Sequence, residues 1–187
     1  MALRTRNAIR ESFLELLSER PFDKISVRDN TERSKISRNT FYYYYQDIYA
    51  LTEDIFGTEI EKIAEKVESY DSWKMAFLDA MAFALENRKA IFHIYNSANR
   101  DLLEQYSRKS ILTAILSYVQ KEAEGLTVPE HKVLVLAKFY AAALTNLSTD
   151  WLSSDMKGEP EAFLDDLSDM LEGNVRRALE RAAEKEH

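Results

Sequence analysis

Arg38, Asn39 and Thr40 stand directly before an unbroken aromatic run, Phe41 to Tyr45. Arginine, asparagine and threonine are side chains that bond base edges or phosphates, and phenolic hydroxyls also reach phosphates. On a helix beginning after Ser37, Phe41, Tyr44, Tyr45 and Ile48 fall at i, i+3, i+4 and i+7 and share an inward face. Tyr42 and Tyr43 then point outward beside Arg38 and Asn39. Core packing accounts for the inward aromatics but not for the outward pair. A helix of about two turns with polar N-terminal residues suits insertion into the major groove of DNA.

Such a helix needs neighbours to hold it. Ile9, Phe13, Leu16 and Leu17 fall at i, i+4, i+7 and i+8, one apolar stripe, while Arg6, Arg10, Glu11 and Glu15 take the other face of a first helix that ends before Pro21. Ser26 caps a second helix, with Asp29 as a short capping-box acid. Ser34-Lys35-Ile36 forms the turn and Ser37 caps the third helix. Asp47 caps a long fourth helix, with Leu51, Ile55, Ile60, Ile63 and Val67 on its apolar side. Further helical segments are expected over 72–87, 88–97, 101–124, 129–152 and 160–184, bounded by Gly125, a Thr127-Val128-Pro129-Glu130 capping box and the Gly158-Glu159-Pro160 break.

Composition narrows the classes. A chain of 187 residues buries a sizeable core, and its 4 Gly and 3 Pro are too few for a turn-rich β-sandwich. With no Cys there are no disulfides or thiolate metal sites. No apolar run approaches the roughly 20 residues that span a bilayer, and the charged N-terminus lacks the apolar centre of a signal peptide, so a cytoplasmic protein without membrane association is expected. The formal net charge is −7, unevenly spread. Residues 1–48 hold nine Lys/Arg against seven Asp/Glu, and the remainder sixteen against twenty-five. A slightly basic head on an acidic body fits a chain that meets DNA only with its head.

Helix, capped helix, the Ser37-Arg38-Asn39-Thr40-Phe41-Tyr42-Tyr43-Tyr44-Tyr45 segment, then Gln46-Asp47 and a long helix together resemble the DNA-binding head of TetR-family transcriptional regulators. The matching stretches are Ile9–Leu17, Ser26–Thr31, Ser34–Ser37, Thr40–Tyr45 and Gln46–Leu51, within about the first 56 residues. The resemblance implies an all-α protein. A helix-turn-helix DNA-binding head spans 1–48, with the fourth helix connecting from 47, and a helical ligand-binding and dimerisation domain spans 49–187. It implies a homodimeric repressor on a pseudo-palindromic operator of double-stranded DNA, released by a small apolar or aromatic effector. The expected DNA contacts are Arg4, Arg6, Ser26, Arg28, Ser37, Arg38, Asn39, Thr40, Tyr42 and Tyr43. Arg4 and Arg6 would reach the backbone or a minor groove, and Arg38 either a base or a phosphate. A second reading keeps the fold but has the protein act mainly through a protein partner, with weak DNA binding.

Four positions depart from the family pattern. Asn30 replaces an aliphatic core residue, so either a neighbour satisfies its amide or the second helix is displaced. Lys35 replaces the turn glycine and must adopt a left-handed conformation. Ile48 stands where a phosphate-binding lysine is common, and Gln46 also lacks charge, which predicts a lower salt slope of DNA binding.

In the body, the resemblance assigns the dimer interface to the helices near 129–152 and 160–184. Ala137, Ala141 and Ala142 would allow close helix approach, and Phe163, Leu167, Met170, Leu171 and Leu179 supply apolar surface. For an effector pocket Trp73, Phe77, Met81, His93, Tyr106, Tyr118 and Tyr140, with Asn146, are the candidates. Phe83, Tyr95 and Trp151 belong to the same aromatic body. Catalysis has little to work with: three His (His93, His131, His187), no Cys, no G-x-S-x-G and no Gly-rich phosphate loop. The Asp165-Asp166-Asp169 cluster lacks His partners and reads as a solvated face. No enzymatic activity, cofactor or metal is expected.

Overall fold

The computed structural model describes residues 2–67, 73–158, 160–171 and 173–184. Side chains at 2, 59–61, 63–67, 76 and 160 lie outside that description. The expected apolar residues Ile60, Ile63 and Val67, and the terminal His187, therefore fall outside the described side chains. All regular structure among the described residues is helical: α1 Ala2–Glu19, α2 Val27–Ser34, α3 Arg38–Tyr44, α4 Ile48–Val67, α5 Trp73–Glu86, α6 Arg88–Tyr95, α7 Arg100–Glu122, α8 Glu130–Ser153, α9 Pro160–Leu171 and α10 Asn174–Glu184, with a 3-10 turn at Phe22–Lys24. By contacts the chain divides into a unit of residues 1–60 with 84–106 and a unit of 61–83 with 107–187.

In the first unit the α1 stripe is fully inside: Ile9, Phe13, Leu16 and Leu17 are all buried. Phe13 meets Phe22 edge-on at 6.0 Å between ring centroids. Arg6 and Arg10, expected on the solvent face, instead turn toward α4 and the Asp54 carboxylate. Asn30 is completely buried, and its Nδ2 donates to the Ile9 carbonyl at 2.9 Å, so α2 is tied to α1 by a side-chain amide where an aliphatic residue would only pack. Asp23 ties the 3-10 turn to the segment after α6, accepting from Asn99 Nδ2 at 2.9 Å and from the Ala98 N–H at 3.3 Å. His93 Nδ1 on α6 donates to the Leu17 carbonyl near the end of α1.

The second unit closes around Phe77, Met81, Ile115, Val119, Val133, Ala137, Ala141, Leu144, Leu164, Val175 and Leu179. Arg176 of α10 donates to the carbonyls of Glu122 and Glu124 at 2.6 and 2.9 Å, placing a cation where α7 leaves carbonyls unpaired. Lys74 of α5 pairs with Asp165 of α9.

Three expectations for this part are corrected. The segment 160–184 is two helices, because Gly173 adopts a left-handed φ of 67° and turns the chain between them. The Thr127–Glu130 capping box does not form: α8 starts at Glu130 with Pro129 as its cap and no side-chain cap bond. The three alanines of α8 do not share a face toward a second copy. Ala137 and Ala141, one turn apart, are buried in the subunit's own core, while Ala142, about 100° further round, is exposed.

Candidate nucleic-acid interface

The recognition segment is built by three caps. Ser26 Oγ accepts from the Asp29 N–H while Asp29 Oδ2 accepts from the Ser26 N–H at 2.9 Å, a reciprocal box at the start of α2. The Ser26 hydroxyl also donates to Asp29 Oδ2 at 2.5 Å, and this bond and the one from the Ser26 N–H hold the Asp29 carboxyl below the usual carboxylate range, helped by the nearby Arg20 guanidinium. At the turn Lys35 is left-handed, with φ 56° and ψ 41°, and the Ile36 N–H reaches the Thr31 carbonyl at 3.1 Å. Ser37 Oγ then accepts from the Thr40 N–H at 3.1 Å and opens α3. Asp47 Oδ1 accepts from the Ala50 N–H at 2.8 Å at the head of α4.

Only seven residues long, α3 sorts its aromatics as its spacing dictates. Phe41 and Tyr45 are buried, Tyr44 is half-buried, and Tyr42 and Tyr43 are 55% and 81% exposed. Tyr42 stands edge-on to Phe41, and Tyr43 edge-on to Tyr44 with 5.0 Å between ring centroids, so each exposed ring braces on an inner one. Ile48 is buried as expected, but as the first residue of α4 rather than the end of α3, because the chain leaves the helix at Tyr45. Its side chain packs inward where a basic residue would reach phosphate.

The remaining DNA-contact candidates divide by what they already touch. Arg38 and Asn39 are exposed and, among the described residues, unpaired. Thr40 shares a hydroxyl–hydroxyl bond with Ser37 at 2.9 Å. Arg4 is exposed at the N-terminal end of α1. Arg28 is exposed but pairs with Glu32 one turn on. Ser26 and Ser37 are engaged as caps.

Arg6 is held inside a polar node that the sequence reading missed. It pairs with Asp54 of α4, and its Nε donates to the Tyr45 hydroxyl at 3.3 Å. That hydroxyl donates to Asp54 Oδ2 at 2.7 Å, and Arg10 approaches the same oxygen at 3.6 Å. Burial and the bond to the Asp54 carboxylate push the Tyr45 phenol up to about 12. Burial opposes ionisation of Asp54, but the bonds from Tyr45 and Arg6 and the charges of Arg6 and Arg10 outweigh it and lower its pKa. The one sequence signal was an acid at position 54, set between Leu51 and Ile55 on a face that is otherwise apolar.

The effector-pocket candidates also separate. Trp73, Tyr118 and Tyr140 line an apolar cavity of about 180 Å³ in the second unit, together with residues of α7, α8, α9 and α10. Phe77 and Met81 are buried in the core of that unit. His93 and Tyr106 belong to the first unit, where Tyr106 stacks on Phe56 at 4.8 Å. Asn146 is exposed and donates to Asp150 at 3.1 Å. The aliphatic lining residues, Ile115, Leu144, Leu147, Leu167, Leu171 and Val175 among them, carried no signal apart from ordinary core periodicity.

The comparisons agree with this architecture. Residues 71–173 match the TetR-type model described as a transcriptional regulator C-terminal region, and the chain belongs to the TetR family of DNA-binding transcriptional regulators. It is 29% identical over 84 residues to the HTH-type dhaKLM operon transcriptional activator DhaS of Lactococcus lactis, covering 45% of each chain. It is 34% identical over 47 residues to the HTH-type transcriptional regulator YxbF of Bacillus subtilis, covering 25% of this chain and 12% of that protein. The chain thus matches less than half the length of either relative. Its fold is shared with the solved structure of the dihydroxyacetone kinase operon activator DhaS, at a TM-score of 0.73 and 18% identity over 92% of this chain and 96% of that one. No described helix is long and apolar enough to cross a membrane.

Proposed function

We propose that this regulator works in the cytoplasm as a homodimer that represses transcription from a pseudo-palindromic operator and is released by a small apolar or aromatic effector. One observation carries the DNA reading. On the exposed side of α3, Asn39 and Tyr43 lie opposite the buried Phe41 and are flanked by Arg38 and Tyr42, two polar side chains unpaired among the described residues beside two exposed phenols. Dimerisation is supported by a run of large apolar side chains at the surface of α8 and α9: Val135, Phe139, Phe163 and Met170 are all more than half exposed. A two-fold pair of heads would read two half-sites about one helical turn apart.

A gel shift with the DNA upstream of its own coding sequence tests this reading. Retention that survives excess unrelated DNA, with a footprint of two related half-sites, is the expected result. A co-regulator that acts through a protein partner is the second reading, and here two observations favour it. Arg6 is engaged by Asp54, and position 48 holds a buried isoleucine without a hydrogen-bond donor, which leaves fewer free groups for phosphates. In addition, the lactococcal relative DhaS is a transcriptional activator. Retention of the probe only when a second protein is added would decide for this reading.

A further inference from the structure

Most arginines of the head are answered by carboxylates. Arg20, Arg28 and Arg33 pair with Asp29, Glu32 and Glu19 of α1 and α2. Arg6 and Arg10, one turn apart on α1, share Asp54 of α4 instead. The Asp54 side chain is 16% exposed, against 28% or more for those three acids, so its pairing is the least screened by water and salt.

Asp54 grips two elements at once. One oxygen takes Arg6, whose side chain is 44% exposed and lines an open groove with Tyr43, Tyr44 and Gln46. Tyr43, the most exposed ring of α3, joins that groove to the face proposed to meet DNA. The other oxygen accepts from the Tyr45 hydroxyl at 2.7 Å, and Tyr45 is the residue on which α3 ends. The bonds and charges around Asp54 keep it ionised at neutral pH.

We infer that Asp54 is a specificity-determining residue that itself touches no DNA: it withholds Arg6 from the phosphate backbone and, through Tyr45, holds α3 in place for base contacts. The inference rests on the reading of α3 as the DNA-binding helix. A phosphodiester arriving in the groove meets an arginine whose charge is already neutralised, and must break that pair to gain it. Binding of unrelated DNA is almost wholly electrostatic, so it forgoes a contact worth about 0.9 in the slope of log affinity on log salt. Binding of an operator draws in addition on base contacts from α3, and these need Tyr45 in position. Asp54 therefore subtracts from the binding term common to all sequences and adds to the term that only an operator has.

Fluorescence anisotropy of the full chain tests this with two labelled duplexes of equal length, one from the DNA upstream of its own coding sequence and one unrelated, titrated between about 50 and 200 mM salt. Asp54→Asn should bind the unrelated duplex about threefold or more tighter at the low-salt end, with a salt slope steeper by about one. On the upstream duplex the same variant should gain less, or lose affinity. Arg6→Ala in the wild-type background should leave the slope on unrelated DNA unchanged, and in the Asp54→Asn background it should remove the added unit. A general change of net charge would not produce that coupling between positions 6 and 54. Arg6→Ala keeps Asp54 paired with Arg10 and Tyr45, so it reads the restraint even where Asp54→Asn melts early. A slope lowered by about one in Arg6→Ala alone means that Arg6 reaches phosphate in the wild type, and overturns the inference. An Asp54→Asn slope equal to wild type overturns it as well, and equal gains on both duplexes overturn the role of Asp54 in specificity. A wild-type chain that does not distinguish the two duplexes overturns the DNA reading of α3, and this inference with it.

Discussion

At the scale of single residues, the Tyr45 hydroxyl is the hinge of the head's polar chemistry. It accepts a hydrogen bond from Arg6 of α1 and donates one to Asp54 of α4, and its phenol is pushed up to about 12. A group whose folded pKa is raised contributes stability that is present below its unfolded pKa and lost as pH rises through the folded value. Stability should therefore fall by on the order of 2 kcal/mol between about pH 10 and 12 as the unfolded chain alone ionises at this position. Urea melts of Tyr45→Phe across that range should lack this part of the alkaline loss. Asp54 has the opposite sign, a lowered pKa, so its contribution is present above the usual carboxylate range and fades as pH drops through the folded value. Arg38 is the residue where base reading and phosphate binding part company. If it reads a base, Arg38→Ala relaxes sequence preference at one operator position by about 1–3 kcal/mol. Uniform weakening across operator variants, with a salt slope reduced by about one, assigns it to phosphate.

At the scale of elements, the turn between α2 and α3 holds the recognition helix at its angle. Lys35 sits there at φ 56° and ψ 41°, a left-handed conformation that disfavours any residue with a Cβ. Lys35→Gly relieves that strain, although the glycine also adds freedom to the unfolded chain. The net expectation is a gain of about 0.5–1 kcal/mol in urea denaturation, with no change in the α3 caps. The Ser26–Asp29 box, the Ser37 cap and the Asp47 cap were all legible in the sequence, because a cap needs only residues within three positions of one another. The box expected at Thr127 failed for an equally local reason. Pro129 already supplies the fixed φ that starts α8 one residue before Glu130. Gly173 was legible in principle as a break within 160–184, but the apolar spacing on either side hid it. Leu167, Leu171 and Leu179 keep a near-helical interval even though the chain turns between them.

For the whole molecule, the proposed dimer rests on the apolar side chains exposed on α8 and α9. Met170 is 78% exposed and does not line the cavity, so Met170→Glu places a charge in the proposed interface without touching the core. Light scattering should show the dimer constant weakened by tenfold or more, while the melting free energy of the monomer moves by less than about 0.5 kcal/mol. A variant as dimeric as wild type would move the interface elsewhere. The division of the chain is also a property of this scale. Residues 84–106 cluster with the head through the packing of α6 on α1, the Asp23–Asn99 bond and the His93–Leu17 bond.

The sequence alone determined the all-helical class, the order and caps of the head helices, and the split of the tyrosines into an inner set and the outward pair Tyr42 and Tyr43. All of these depend on helical periodicity and on capping side chains a few residues away. Only the tertiary structure decided that Arg6 is engaged by Asp54, that Asn30 bonds the Ile9 carbonyl, and that Phe139 stands both at the surface and on a cavity wall. Those pairings join residues 21 to 48 positions apart, or the faces of helices far separated in the chain. No local pattern encodes which face meets which; that is settled only when the helices pack.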